Sequence, residues 1–164
     1  MKADDSSVNF PQIYSLRTSC STTDELFREV GLLMVGEEIV AKDFVSALIK
    51  REEQFPTGLQ LDGATVAMPH VDARFSLKTA IVVAVNDAPV DFRRMDDPEK
   101  MLAVRVAIFL AINDATKQVV FLSRLSHIFA DRNFSRLVNA SDDPEPVAQY
   151  LKTVLEEERG ESYA

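Results

Sequence analysis

The sequence predicts an α/β domain of three layers, a small mixed β-sheet flanked by helices on both faces. Three observations carry that expectation. Segments with helical apolar spacing lie towards both ends of the chain, before residue 55 and after residue 115. Between them sit two apolar runs, residues 80–85 and 101–112, with apolar side chains on both faces of the extended chain, which calls for cover above and below. The run at 80–85 and a shorter one at 90–92 are too close for a helical crossover, so antiparallel neighbours must accompany parallel ones.

Taken in order, residues 1–12 read as a flexible lead-in, with an extended piece near 8–10 that Pro11 would confine to a sheet edge. Thr22 with Glu25 three residues on forms a capping box. Leu26, Phe27, Val30, Leu33 and Met34 then share one helical face until Gly36 closes it. A second helix covers residues 41–54 with Phe44, Val45, Leu48 and Ile49 inward, and Pro56 forbids its continuation. A Pro-Thr-Gly turn at 56–58 and an Asp62-Gly63 turn lead to a short strand at 66–68. A polar loop follows, then the strand at 80–85, then a turn-rich charged stretch over 86–100 that holds the piece at 90–92. In the strand at 101–112, Val104, Val106, Ile108 and Leu110 line one face, and Asn113 and Asp114 end it. Helices follow at 116–130, with Val119, Leu122, Leu125 and Phe129 inward, and at 134–138. Ser141 to Pro144 starts a last helix, with Val147, Leu151, Val154 and Leu155 as its apolar stripe and residues 156–164 as a solvated tail. At 164 residues and 46% hydrophobic content, residues 1–164 are expected to form one domain.

Charge excludes several functions. A net charge of -8 leaves no basic footprint for nucleic acid. The first ten residues are acidic and polar where a signal peptide is cationic and then apolar, and no apolar run is long enough for a membrane span, so a soluble cytoplasmic protein is expected. Cys20 is alone, and the two histidines, His70 and His127, are far apart, so neither a disulfide nor a metal-ligand spacing is visible.

The chemistry concentrates in residues 51–72. Pro69 fixes its own φ and pushes Met68 into an extended conformation, so His70 projects from the turn after a strand end. With an ordinary pKa of ~6.5, a histidine there is mostly neutral and nucleophilic near pH 7.

Arg51 and Glu52, then Phe55-Pro56-Thr57-Gly58, then Val66-Ala67-Met68-Pro69-His70 resemble the active-site signature of enzyme IIA domains of the bacterial phosphoenolpyruvate:sugar phosphotransferase system. The similarity is to the mannitol–fructose class and, within it, to the galactitol-type branch, and the order of elements is similar over about residues 15–155. The resemblance implies a phosphocarrier that needs no cofactor. His70 would accept a phosphoryl group from phosphorylated HPr and pass it to a cysteine of a separate IIB component, with a IIC membrane component downstream. Galactitol or a related polyol would be the sugar. Arg51 would stabilise charge on the equatorial oxygens, for which its forked, permanently charged donors suit it. Mannitol-type members resemble one another in a second histidine where this chain has Gln118, which can donate a hydrogen bond but cannot be protonated. The start of the helix holding Gln118 would also offer free N–H groups to an anion.

Plainer readings stand beside these. His70 could simply cap a strand end, Arg51 could complement a helix dipole, and Gln118 could be ordinary helix surface. Glu52 reads as a solvated helix residue or a partner for Arg51 or for an incoming arginine of HPr, and Asp72 as a turn acceptor or the group that orients the His70 ring. Glycines 58 and 63 would let chain segments approach the histidine. His127 reads as surface, Cys20 as an inert thiol and Arg105 as a paired residue of the long strand. A regulatory module of the same family, whose phosphorylation state controls a protein partner, is the alternative to transport.

Overall fold

A computed structural model describes residues 11–140 and 142–162, and the lead-in before Pro11 and the expected start at Ser141 lie outside them. The elements are β1 (Gln12–Thr18), α1 (Thr23–Gly36), α2 (Phe44–Gln54), β2 (Gly58–Gln60), β3 (Thr65–Ala67), a 3-10 turn (Ala73–Phe75), β4 (Ala80–Arg93), β5 (Met101–Ala111), α3 (Ala115–Phe129), α4 (Arg132–Ala140) and α5 (Glu145–Ser162). The five strands form one sheet in the order β1-β4-β5-β3-β2. β1 runs parallel to β4 and β3 parallel to β5, while β4 with β5 and β2 with β3 are antiparallel. The sheet is mixed as expected, but not through the short spacing: residues 80–85 and 90–92 belong to one strand, and the antiparallel pairings are those of β4 with β5 and β2 with β3.

Each face of the sheet has its own core. On one side, Ile81, Val83, Val106, Ile108 and Leu110 pack with Leu125, Phe134, Leu151 and Leu155 from α3, α4 and α5. On the other, Val82, Ala84, Ala107 and Phe109 pack with Phe27, Val30, Phe44 and Leu48 from α1 and α2. Phe27 holds the second core together, its ring edge-on to Phe109 at 5.7 Å and 5.9 Å from Phe92.

Several expectations change. β1 lies partly within the expected lead-in: Gln12 opens an edge strand whose half-buried residues give no clean alternation. Residues 86–93 are not a turn-rich break but the continuation of β4, with a register shift between Val85 and Val90. Asn86 makes the shift tolerable. It is 1% exposed, and its side chain accepts from Thr18 Oγ1 and Cys20 N and donates to the carbonyls of Cys20 and Ala88. Beyond the shift Val104 packs on the α1–α2 side, not with Val106. Leu33 is exposed on α1, and on α3 Val119 is exposed while Phe121 takes the inward place. The tail expected to be solvated continues α5 as far as Ser162, and its Glu156 and Glu157 are exposed.

Candidate active site

His70 is gripped on both sides by backbone bonds. The Pro69 carbonyl accepts from the Leu110 N–H at 3.1 Å, which extends the pairing to β5 beyond the three residues of β3. The Val71 carbonyl accepts from Gln118 Nε2 at 2.8 Å. The ring itself is oriented by the Met68 carbonyl, 2.8 Å from Nδ1. A carbonyl can only accept, so Nδ1 carries the hydrogen and, in the neutral ring, Nε2 keeps a bare lone pair. Burial pushes the His70 pKa below its ordinary 6.5, and the Arg51 charge pushes the same way against the Met68 hydrogen bond. The nucleophilic form therefore predominates at neutral pH.

Arg51 sits in the last turn of α2, its guanidinium 4.1 Å from the centre of the Phe55 ring. Among the described residues no carboxylate pairs with it, which leaves its donors for an anion. It lines a cleft of about 300 Å³ with Lys50, Gln54, Val71, Asp72 and Arg74. Three basic side chains on one cleft make a local positive field on a chain of net charge -8.

The turn from α2 into β2 explains part of the motif. A Cβ on Gly58 would lie 2.6 Å from the Arg93 carbonyl oxygen, so the close approach to β4 admits only glycine. Gly63 serves differently: its φ of +92° needs glycine, while the space around it is open. Glu52 is neither solvated nor paired with Arg51. Its Oε1 accepts from Thr57 Oγ1 at 2.7 Å and Thr57 N at 3.1 Å, and its Oε2 is buried without a partner. Burial raises its pKa to about 7, against the Thr57 bonds and the Arg93 charge.

The other candidates separate cleanly. Gln118 does reach the His70 loop, but its amide bonds the backbone next to the ring. Two of the N–H groups expected to be free at the start of α3, those of Thr116 and Lys117, donate to Asp114 Oδ1. Asp72 is exposed and accepts from Phe75 N through its backbone, while the ring's orienting partner is Met68. His127 is exposed on the last turn of α3, and Arg105 pairs with Asp142. The Cys20 thiol donates to Glu29, and burial raises its pKa to about 11, which keeps it unreactive.

A family model described as phosphoenolpyruvate-dependent sugar phosphotransferase system, EIIA 2, matches residues 11–154. The chain belongs to that family. EIIA components are phosphotransferases that carry a phosphohistidine intermediate, so this chain is one. It is 30% identical to the galactitol-specific EIIA component of Escherichia coli K12 over 109 residues, 65% of this chain and 72% of that protein. The fold is that of the solution structure of the mannitol-specific cryptic enzyme IIA of Escherichia coli, with a TM-score of 0.68, 19% identity, and 90% and 97% of the two chains covered. The Escherichia coli mannitol IIA solved in complex with its phosphorylated IIB matches with a TM-score of 0.58 at 25% identity, over 79% of this chain and 87% of that one. In this EIIA protein no helix among the described residues is long and apolar enough to cross a membrane.

Proposed function

We propose that this EIIA chain is a single-domain cytoplasmic phosphocarrier over residues 1–164 in which Nε2 of His70 takes a phosphoryl group from phosphorylated HPr. The observation that carries the reading is the Met68 hydrogen bond to Nδ1, which leaves Nε2 as the nucleophilic atom of a ring that feels the Arg51 charge. The Nε2 lone pair forms the new N–P bond as the donor's N–P bond breaks and its electron pair returns to the donor imidazole. Arg51 meets the charge on the equatorial oxygens. Gln118 uses one amide N–H to hold Val71 and has a second to offer a phosphoryl oxygen. In the second half-reaction the thiolate of a IIB cysteine attacks phosphorus, and the His70 ring leaves with its Nδ1–H still on Met68. A separate IIC component completes uptake, with galactitol or a related polyol as the sugar, supported by the similarity to the galactitol-specific protein.

Intact mass spectrometry after incubation with phosphoenolpyruvate, enzyme I and HPr tests this. The expected result is one acid-labile phosphoryl adduct on wild type and none on a folded His70→Ala variant. No adduct on wild type, with HPr shown to be charged, would overturn it. An adduct that no IIB removes would favour the regulatory module instead.

A further inference from the structure

Glu52 takes no part in the chemistry above, yet a line of hydrogen bonds joins it to the acceptor ring. Its Oε1 binds both the hydroxyl and the N–H of Thr57. The Thr57 carbonyl accepts from Met68 N at 3.2 Å, and the Met68 carbonyl accepts the His70 Nδ1–H at 2.8 Å. Thr57 is 3% exposed and Met68 5%, so water has no access to replace a link. Glu52 is not needed to end α2, because the Phe55 N–H already closes onto the Arg51 carbonyl at 2.7 Å. Pro56 has no N–H, and on the far side the Gly58 carbonyl accepts from Met95 N at 2.8 Å, so Glu52 is the group that holds Thr57 from the α2 side. The carboxyl is retained there although Oε2 is buried without a partner, an arrangement that costs stability.

We infer that Glu52 is a positioning residue for the phosphoryl acceptor: by fixing Thr57 it fixes the Met68 carbonyl, which selects the Nδ1–H tautomer of His70. The inference rests on His70 as the acceptor and adds the group that prepares its ring. Glutamine in place of Glu52 keeps an acceptor oxygen for both Thr57 bonds, whereas alanine removes it.

The test reads the His70 ring nitrogens by long-range 1H–15N NMR above the ring's pKa, in wild type, Glu52→Gln and Glu52→Ala, alongside the kinetics of phosphorylation by phosphorylated HPr. Glu52→Gln should keep the wild-type tautomer. Glu52→Ala, which removes both Thr57 bonds, should show both tautomers and lose about tenfold in kcat at unchanged KM, as expected when the hydrogen bond that orients the ring is loosened. A folded Glu52→Ala with the wild-type tautomer and rate would overturn the inference. If that variant does not fold, Thr57→Val decides, since it deletes one of the two bonds: a shifted tautomer ratio supports the role and an unshifted one overturns it. The ring spectra need no phosphoryl donor. A wild type that accepts no phosphoryl group would therefore count against the proposed function, while the tautomer comparison still decides the role of Glu52.

Discussion

Replacing Glu52 with glutamine should remove a pH-dependent loss of stability from this fold. In the folded chain burial holds the Glu52 pKa at about 7, above the ordinary 4.5 that it regains on unfolding. Below pH 4.5 the carboxyl is protonated in both states and contributes no pH dependence. Between 4.5 and 7 the unfolded chain ionises first, so the folded state holds more protons and stability falls as pH rises. The shift corresponds to roughly 3 kcal/mol across the window, an upper figure because the fold can relax around the charge. Asp24, Glu53, Asp91 and Arg93 line the same small cavity and remain in both proteins. His70 works in the opposite sense: its lowered pKa makes stability rise with pH below 6.5, and that contribution is also shared. Urea unfolding at half-unit steps from pH 4.5 to 8 isolates the effect as the difference between Glu52→Gln and wild type. That difference should move in favour of the variant by up to about 3 kcal/mol, most of it gained by pH 7. A difference that is flat within about 0.5 kcal/mol would show that the carboxyl ionises freely in the fold and would refute the reasoning.

Arg51→Met should raise the His70 pKa towards 6.5 in an NMR titration and slow its phosphorylation about 10- to 100-fold, the loss of one charge-assisted contact. An unchanged pKa and rate would remove Arg51 from the site. Gly58→Ala should cost about 1–3 kcal/mol in urea unfolding, because its Cβ would stand 2.6 Å from the Arg93 carbonyl oxygen. Wild-type stability in that variant would mean the turn moves away freely. Phe109→Ala should cost about 3–5 kcal/mol, since the ring is fully buried and packs edge-on against Phe27. A loss under about 1 kcal/mol would show that the core around β5 collapses into the space.

The helices and the central strand pair were legible in the sequence because their signals are local. Thr22 and Glu25 lie within one turn, and Thr22 Oγ1 does accept from Glu25 N, although the Glu25 carboxylate reaches back to Ser21 N. The apolar run of β5 is buried on both faces as its composition requires. β1 and β2 escaped because an edge strand is held by its neighbour's backbone and shows only a weak pattern of its own. The stretch from Asn86 to Arg93 carries turn residues, yet it stays extended because Thr18 and Cys20, from β1 and the loop beyond it, satisfy the Asn86 side chain.

By itself the sequence determined the layer architecture and the glycine and proline positions, because each follows from spacing or from a backbone constraint carried by one residue, and it singled out His70 with Arg51 through the resemblance of their motif to a family. Only the tertiary structure decided which nitrogen of His70 is bare, that Gln118 reaches Val71, and that Glu52 is buried against Thr57. A hydrogen-bond partner depends on where two distant segments meet, and a carboxyl's burial depends on what is packed over it. Neither is encoded in the spacing of residues along one strand or helix.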